Sequence, residues 1–421
     1  MKDFRQIVAE QKDELSIILD QGWVPRDHES AIDPDTRLAR IITGVRRSGK
    51  STLAHRRLKS LHYAYVNFDD ERLAGLRADQ LNPLLEALYA VYGEFSHLLL
   101  DEIQNVENWH LFVNRLLRSN IRIILTGSNS KLLGQELATH LTGRYAETRL
   151  FPFSFKEFLR SQHITWTSAV TAKERGLLLG NLIQYMNSGG FPDLITGKYG
   201  PDYINSLFDA IVTRDIVYRY NLKYVRTFRE IALYLTSCYS TEISYNRIKK
   251  IFELGSENTA KNYVHYLEEA YLISCLPKFS FKKQESVRYR KVYLIDTAFA
   301  GQTGEGHSVN SGRLLENLVY LELARNASWL RYELFYFKKQ VEVDFVIYSN
   351  RKVTELIQVA YSIADQRTLK RETRALITAA KELNPEKLTL ITFDTKHDII
   401  EEGMNIRIVP VLEWMLGLSA E

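Results

Sequence analysis

Only two cysteines, Cys238 and Cys275, occur in 421 residues, and their spacing offers neither a disulfide framework nor a metal clip. They read as buried free thiols of a reducing compartment, which makes the cytoplasm the expected location. No apolar run approaches the ~20 residues that a membrane helix needs, so no membrane partner is expected. The opening stretch MKDFRQIVAEQKDELSIILD intersperses acids among its apolar residues; it predicts an amphipathic helix and not a signal peptide. An excess of one charge is missing as well, because 55 Lys and Arg face 51 Asp and Glu, a net of +4. That balance permits nucleic-acid binding on one basic face without requiring it. Internal repeats and low-complexity tracts are absent too. What remains is 45% hydrophobic and 25% charged, a globular composition in a chain long enough for two to four domains.

The strongest local pattern is IITGVRRSGKSTL, residues 41–53. Gly44, Gly49, Lys50 and Ser51 fill every fixed position of a phosphate-binding loop, between an apolar strand (38–43) and a helical stretch (51–62). Glycines let backbone N–H groups turn onto phosphate oxygens, and the helix N-terminus adds partial positive charge. Gly44, Arg47, Ser48, Gly49, Lys50, Ser51 and Thr52 are therefore expected to hold ATP. Lys50 would neutralise the β- and γ-phosphates, and Ser51 would offer its hydroxyl to Mg²⁺. A second pattern, HLLLDEIQ (97–104), sets two acids behind a run suited to a buried parallel strand. Asp101 would hold the magnesium through water, and Glu102 would act as general base on the attacking water. A third strand, IRIILTGSNS (121–130), ends in polar residues at the edge where a parallel sheet exposes its ligands. There Asn129 or Ser128 would position the water or sense the γ-phosphate. Further strands are expected at 63–73 and 147–155. Strands alternating with helices predict an α/β fold, a P-loop NTPase three-layer sandwich over residues 1–152.

The run GVRRSGKST, LLLDEIQ, TGSNSKLL, LTGR and LFPFSFKEF resembles the AAA+-related ATPases of bacteria and archaea that carry a C-terminal nuclease-like domain, a group near the archaeal ATPase and STAND branches. The resemblance implies that Arg144 is the arginine of a "GR" motif, acting in trans on a neighbour's γ-phosphate or in cis as a sensor. A guanidinium suits the charge that develops there. It also implies that Gly190 and Pro192 form an element whose proline packs on the adenine. Arg214 and Asp215 match a further motif, for which an ion pair on a helix is the physical reading.

Beyond a helical lid (153–227), residues 228–307 show three helical stretches and two basic, aromatic strands, the pattern of a winged helix. Ser256 is a natural N-cap for the third helix. Ala260, Val264, Leu267 and Tyr271 share its core face, while Asn258, Lys261, Asn262 and His265 lie opposite, able to reach phosphates or base edges. With Lys282, Lys283, Arg288, Arg290 and Lys291 of the wing, and Arg247, Lys249 and Lys250, they would form a DNA-binding surface. A winged helix that only packs as a mechanical element would show a similar solvated face.

Residues 308–421 look like a degraded PD-(D/E)xK nuclease fold. Glu316, Asp344 and Gln358 would frame a vestigial site in which Ala360 stands where active members carry lysine. Lys370 or Arg367 would be the substitutes, if any. Together these expectations describe a Mg²⁺-dependent ATPase that binds or remodels DNA, including branched or Holliday-junction DNA. It would work as a homo-oligomer, a hexameric ring being one form, with nuclease activity not expected. A STAND-like signalling switch with a protein partner and an ATP-dependent nuclease are the alternatives.

Overall fold

In a computed structural model, the structure describes residues 3–20, 22–128, 143–167, 171–200, 202–281, 289–301 and 310–418. Two compact units emerge: residues 1–152 with 269–271, and residues 153–268 with 272–421.

The first unit is built on five parallel strands: β1 (Ala39–Thr43), β2 (Tyr63–Asn67), β3 (His97–Asp101), β4 (Arg122–Gly127) and β5 (Tyr145–Arg149). Their order is β2-β3-β4-β1-β5. All five residues of β3 are buried, as a central parallel strand with both faces covered requires. The helices Lys50–Leu58, Leu81–Tyr92 and Trp109–Arg118 connect the strands and pack against the sheet. The amphipathic N-terminus is the helix Phe4–Asp20, which buries Ile7, Val8 and Leu15. Its Gln11 side chain accepts from the Asn67 N–H (3.0 Å) and donates to the Asn67 carbonyl (3.1 Å), pairing backbone groups of an edge strand that would otherwise lie open. The strand expected at 147–155 lies earlier, at Tyr145–Arg149. Ser154 instead caps the helix Phe155–Ser161 in a capping box with Glu157, and that local bonding favours helix over strand.

The second unit begins with helices, among them Phe155–Ser161, Ala172–Ser188 and Tyr203–Ala210. Arg214 and Asp215 fall in a π-helix, Ile211–Tyr218, where Asp215 is buried. The helices Val225–Ser237, Tyr245–Ile251 and Glu257–Glu269 follow, with an antiparallel sheet of β6 (Thr241–Ile243), β7 (Ile273–Pro277) and β8 (Arg290–Leu294) in the order β6-β8-β7. Ser256 caps the last of these helices by accepting from the Thr259 N–H at 3.1 Å. A six-stranded mixed sheet completes the unit: β9 (Glu333–Lys338), β10 (Glu342–Ser349), β11 (Lys352–Ala360), β12 (Lys387–Thr392), β13 (His397–Glu401) and β14 (Met404–Pro410). The order is β13-β14-β12-β11-β10-β9, with β11, β12 and β14 parallel. The helices Ser311–Leu330 and Gln366–Leu383 pack on this sheet. Asn317 accepts from the Leu294 N–H (2.8 Å) and donates to its carbonyl (3.2 Å), which ties β8 to the helix Ser311–Leu330.

Candidate functional site

The turn after β1 owes its shape to residues that tolerate positive φ. Gly44 sits at φ 144, and a Cβ there would lie 2.1 Å from the Leu150 carbonyl oxygen, so only glycine fits. Arg47 and Gly49 follow at φ 66 and 92, and the helix Lys50–Leu58 then begins, its first N–H groups having no partner within the helix. The Ser48 hydroxyl is fully buried and finds no partner among the described residues. An orphaned donor inside a loop of this form fits a phosphate oxygen.

Lys50 is 5% exposed, and its ammonium donates to the carbonyls of Gly44 and Val45, both at 3.2 Å. Across the sheet edge, β3 delivers Asp101 at its last position, and the chain reverses immediately with Glu102 in the left-handed region at φ 53. This puts the Glu102 carboxylate 3.7 Å from the Lys50 ammonium. Ser51 donates to Asp101 at 2.9 Å. The four residues that sequence spacing singled out, Lys50, Ser51, Asp101 and Glu102, thus converge from two separate strand ends.

The two carboxylates are held differently. Burial, reinforced by repulsion from Glu102, pushes the Asp101 carboxyl up to about 6, against hydrogen bonds from Thr126 and Ser51 and the charge of Lys50. Burial also penalises the Glu102 charge, but Lys50, Gln104, Arg46 and Ser128 outweigh it and hold that carboxyl below its ordinary range. Ser128 donates to Glu102 through both its N–H (3.3 Å) and its hydroxyl (3.1 Å). Ser128 thus contacts the Glu102 carboxylate. Asn129 lies outside the described residues.

Three contributors had no sequence signal. Thr126 donates to Asp101 and accepts from the Glu102 N–H at 3.1 Å, joining the two acids; in sequence it is one more β-branched strand residue. Tyr65 reaches Asp101 from β2 at 3.5 Å. Arg26 is 8% exposed and donates to the carbonyls of Ser48 (2.8 Å) and Phe151 (2.6 Å), bracing the loop from a stretch with no motif.

Arg144 lies away from this cluster. Its carbonyl accepts from the Ala39 N–H, at the start of β1, whereas the phosphate loop leaves β1 at Thr43. Four residues of strand separate the two by roughly 13 Å, beyond the reach of the side chain. Pro192 opens the short helix Pro192–Ile195 in the second unit. Gly190 there is buried: its N–H donates to Asp296 at 2.9 Å, and a Cβ would meet the Phe153 carbonyl at 2.3 Å. On the helix Glu257–Glu269, Ala260, Val264 and Leu267 are buried, and Asn258, Lys261, Asn262 and His265 are exposed. Lys282, Lys283 and Arg288 lie outside the described residues.

Lys291 departs from expectation. It is 2% exposed and not part of a basic surface, because it donates to Glu342 and Asp344 at 3.0 Å and pairs with Glu316 at 2.8 Å. On β8 the four consecutive residues Lys291–Leu294 are buried, so both faces of the strand are covered and Lys291 lies inside where the wing reading had it outward. Gln358 donates to Glu372 at 2.8 Å and accepts from the Asp344 N–H at 3.2 Å, and Ala360 is buried at the end of β11. Glu316, Asp344 and Gln358 therefore do meet in one pocket.

Comparison with known proteins adds three domain matches. A family described as "AAA domain" matches residues 36–159, and two domains of unknown function, DUF8612 and DUF4143, match residues 179–305 and 311–414. An uncharacterised protein of Methanocaldococcus jannaschii, MJ1544, is 35% identical, over 96% of this chain and 93% of its own length. An uncharacterised protein of Haemophilus influenzae is 29% identical, over 79% of this chain and 84% of that one. Among solved structures, a Walker-type ATPase of Pyrococcus abyssi is similar at 14% identity and a TM-score of 0.39, covering 69% of this chain and 94% of that one. No described helix is long and apolar enough to cross a membrane. With a AAA domain match over residues 36–159, where the phosphate loop lies, the chain belongs to the same family as the Methanocaldococcus jannaschii protein MJ1544.

Proposed function

We propose that the chain is a Mg²⁺-dependent ATPase that binds DNA and works as an oligomer. The convergence of Lys50, Ser51, Asp101 and Glu102 at the ends of β1 and β3, the two strands that flank β4, carries the catalytic half of this reading. The Ser51 hydroxyl and the Asp101 carboxylate are oxygen donors already in contact, the donor type a small hard cation takes, so they would hold magnesium. When bound, the ion would neutralise charge on the phosphates.

The protein's own groups do the rest. Lys50 exchanges the loop carbonyls and Glu102 for β- and γ-phosphate oxygens, and the Ser48 hydroxyl gains the partner it lacks. Releasing Lys50 frees Glu102 to accept a proton from the attacking water, with Ser128 fixing its orientation. Arg144, out of reach of its own loop, serves a neighbouring subunit, which makes the oligomer part of the chemistry. Pro192 packs on the adenine. DNA meets the exposed face of the helix Glu257–Glu269, with Lys261, Asn262 and His265 as contacts together with Lys282 and Lys283.

Two substitutions test the site. Lys50→Ala should abolish nucleotide binding, because the phosphates lose their fixed ammonium. Glu102→Gln should bind ATP as the wild type does yet turn it over slower by about 10²-fold or more. Wild-type turnover in Glu102→Gln would remove the general-base assignment.

A further inference from the structure

The second unit holds a cavity of about 930 Å³ whose floor and rim carry opposite charge. On the floor, every acid is already committed. Lys291, from β8, lies within 3.0 Å of oxygens of Glu316, Glu342 and Asp344. Asp344 also accepts from the Val359 N–H at 3.0 Å, and Glu372 accepts from Gln358 at 2.8 Å and from Arg371 at 3.0 Å. Burial and the neighbouring Asp344 raise the Glu316 carboxyl above its ordinary range, against the opposing pull of Lys291. The Lys291 ammonium thus occupies the space among carboxylates where a divalent cation would otherwise be needed to offset them.

The rim is the helix Gln366–Leu383. Arg367, Lys370, Arg371 and Arg374 recur at intervals of three and four, which places them on one face, and all four line the cavity and are exposed. Arg371 is spent on Glu372. The side chains of Arg367, Lys370 and Arg374 make no ion pair or hydrogen bond among the described residues. Seven residues of helix span roughly 10.5 Å, about three phosphates of one DNA strand at ~3.4 Å each along the axis.

We infer that this cavity is a metal-independent cradle for the phosphodiester backbone of DNA, gripped by Arg367, Lys370 and Arg374, with Lys291 as the permanent counter-ion of the acids beneath. The inference rests on the DNA-binding reading above but moves the main electrostatic grip from the helix Glu257–Glu269 to the C-terminal sheet domain. A cradle whose acids are neutralised from within can hold a phosphate chain without repelling it and without cutting it.

The test is fluorescence anisotropy of a labelled DNA duplex with the full chain, across a salt series, in EDTA and in Mg²⁺. The wild type should bind equally in both. Arg367→Gln/Lys370→Gln/Arg374→Gln, all at exposed positions, should weaken binding by about tenfold or more and lower the log–log salt slope by roughly 0.9 per lost contact, with ATP turnover retained. Unchanged affinity and slope in that triple variant, with loss instead in Lys261→Gln/Asn262→Ala/His265→Gln, would overturn the cradle and leave the DNA reading standing. A wild type that binds no duplex would remove both. Binding that collapses in EDTA would show that a metal, and not Lys291, offsets the acids.

Discussion

Each of the two units buries one lysine against carboxylates, and the two lysines are held to different degrees. Among the described residues Lys50 stands 3.7 Å from Glu102 and donates hydrogen bonds to loop carbonyls at 3.2 Å. Lys291 has three carboxylates within 3.0 Å. Burial alone would favour a neutral amine, but Asp344, Glu316 and Glu342 outweigh it and keep the Lys291 ammonium charged. A loosely paired ammonium can be surrendered to a phosphate; one enclosed by three acids cannot. Both lysines belong to patterns of chemistry, yet one is exchangeable and the other structural, and distance and partner count make the difference.

The comparison can be broken first at the exchangeable site. If Arg144 completes that site from a neighbour, Arg144→Ala should lower turnover by a factor on the order of 10³. Mixing it with Lys50→Ala should restore part of the activity, because some interfaces then join an intact loop to an intact arginine. No recovery in subunits shown to exchange would strip Arg144 of the role, since its place just before β5, beside the start of β1, sets it away from the loop of its own chain.

The structural lysine should show itself in stability. Lys291→Met leaves the buried acids uncompensated and should cost about 3–5 kcal/mol of unfolding free energy, read from denaturant midpoints. Lys50→Ala should cost less, because its one carboxylate partner stands at 3.7 Å and keeps the donors of Ser128. Equal costs would erase the distinction.

A smaller effect separates either lysine pair from an acid that, among the described residues, has no cationic partner at hydrogen-bond distance. Burial pushes Asp296 up to about 6, against backbone N–H bonds from Ala298 and Gly190. An acid whose folded pKa is raised takes up a proton on folding, so its contribution grows as pH falls through about 6 and is absent well above it. Between pH 7.5 and pH 5 the wild type should gain roughly 1 kcal/mol of stability relative to Asp296→Asn. A gap between the two that does not change with pH would place the proton elsewhere.

Sequence spacing was enough to locate Lys50, Ser51, Asp101 and Glu102, because a phosphate loop and a strand-terminal acid pair are local patterns with their own backbone demands. It also picked out the helix Glu257–Glu269 through its cap and its apolar period, and the strands that carry Asp344 and Gln358. Those features repeat within a few residues, so neighbours along the chain are enough to reveal them. Lys291, Thr126 and Arg26 were invisible for the opposite reason. Each acts across a gap of more than twenty residues: Lys291 on Asp344, Thr126 on Asp101, Arg26 on the Ser48 carbonyl. A lysine in a basic strand looks the same whether it faces water or three buried acids. Side-chain chemistry is written in the sequence, but which way a residue faces, and how many opposite charges meet it there, follows from sheet register and packing, and only the tertiary structure decided that.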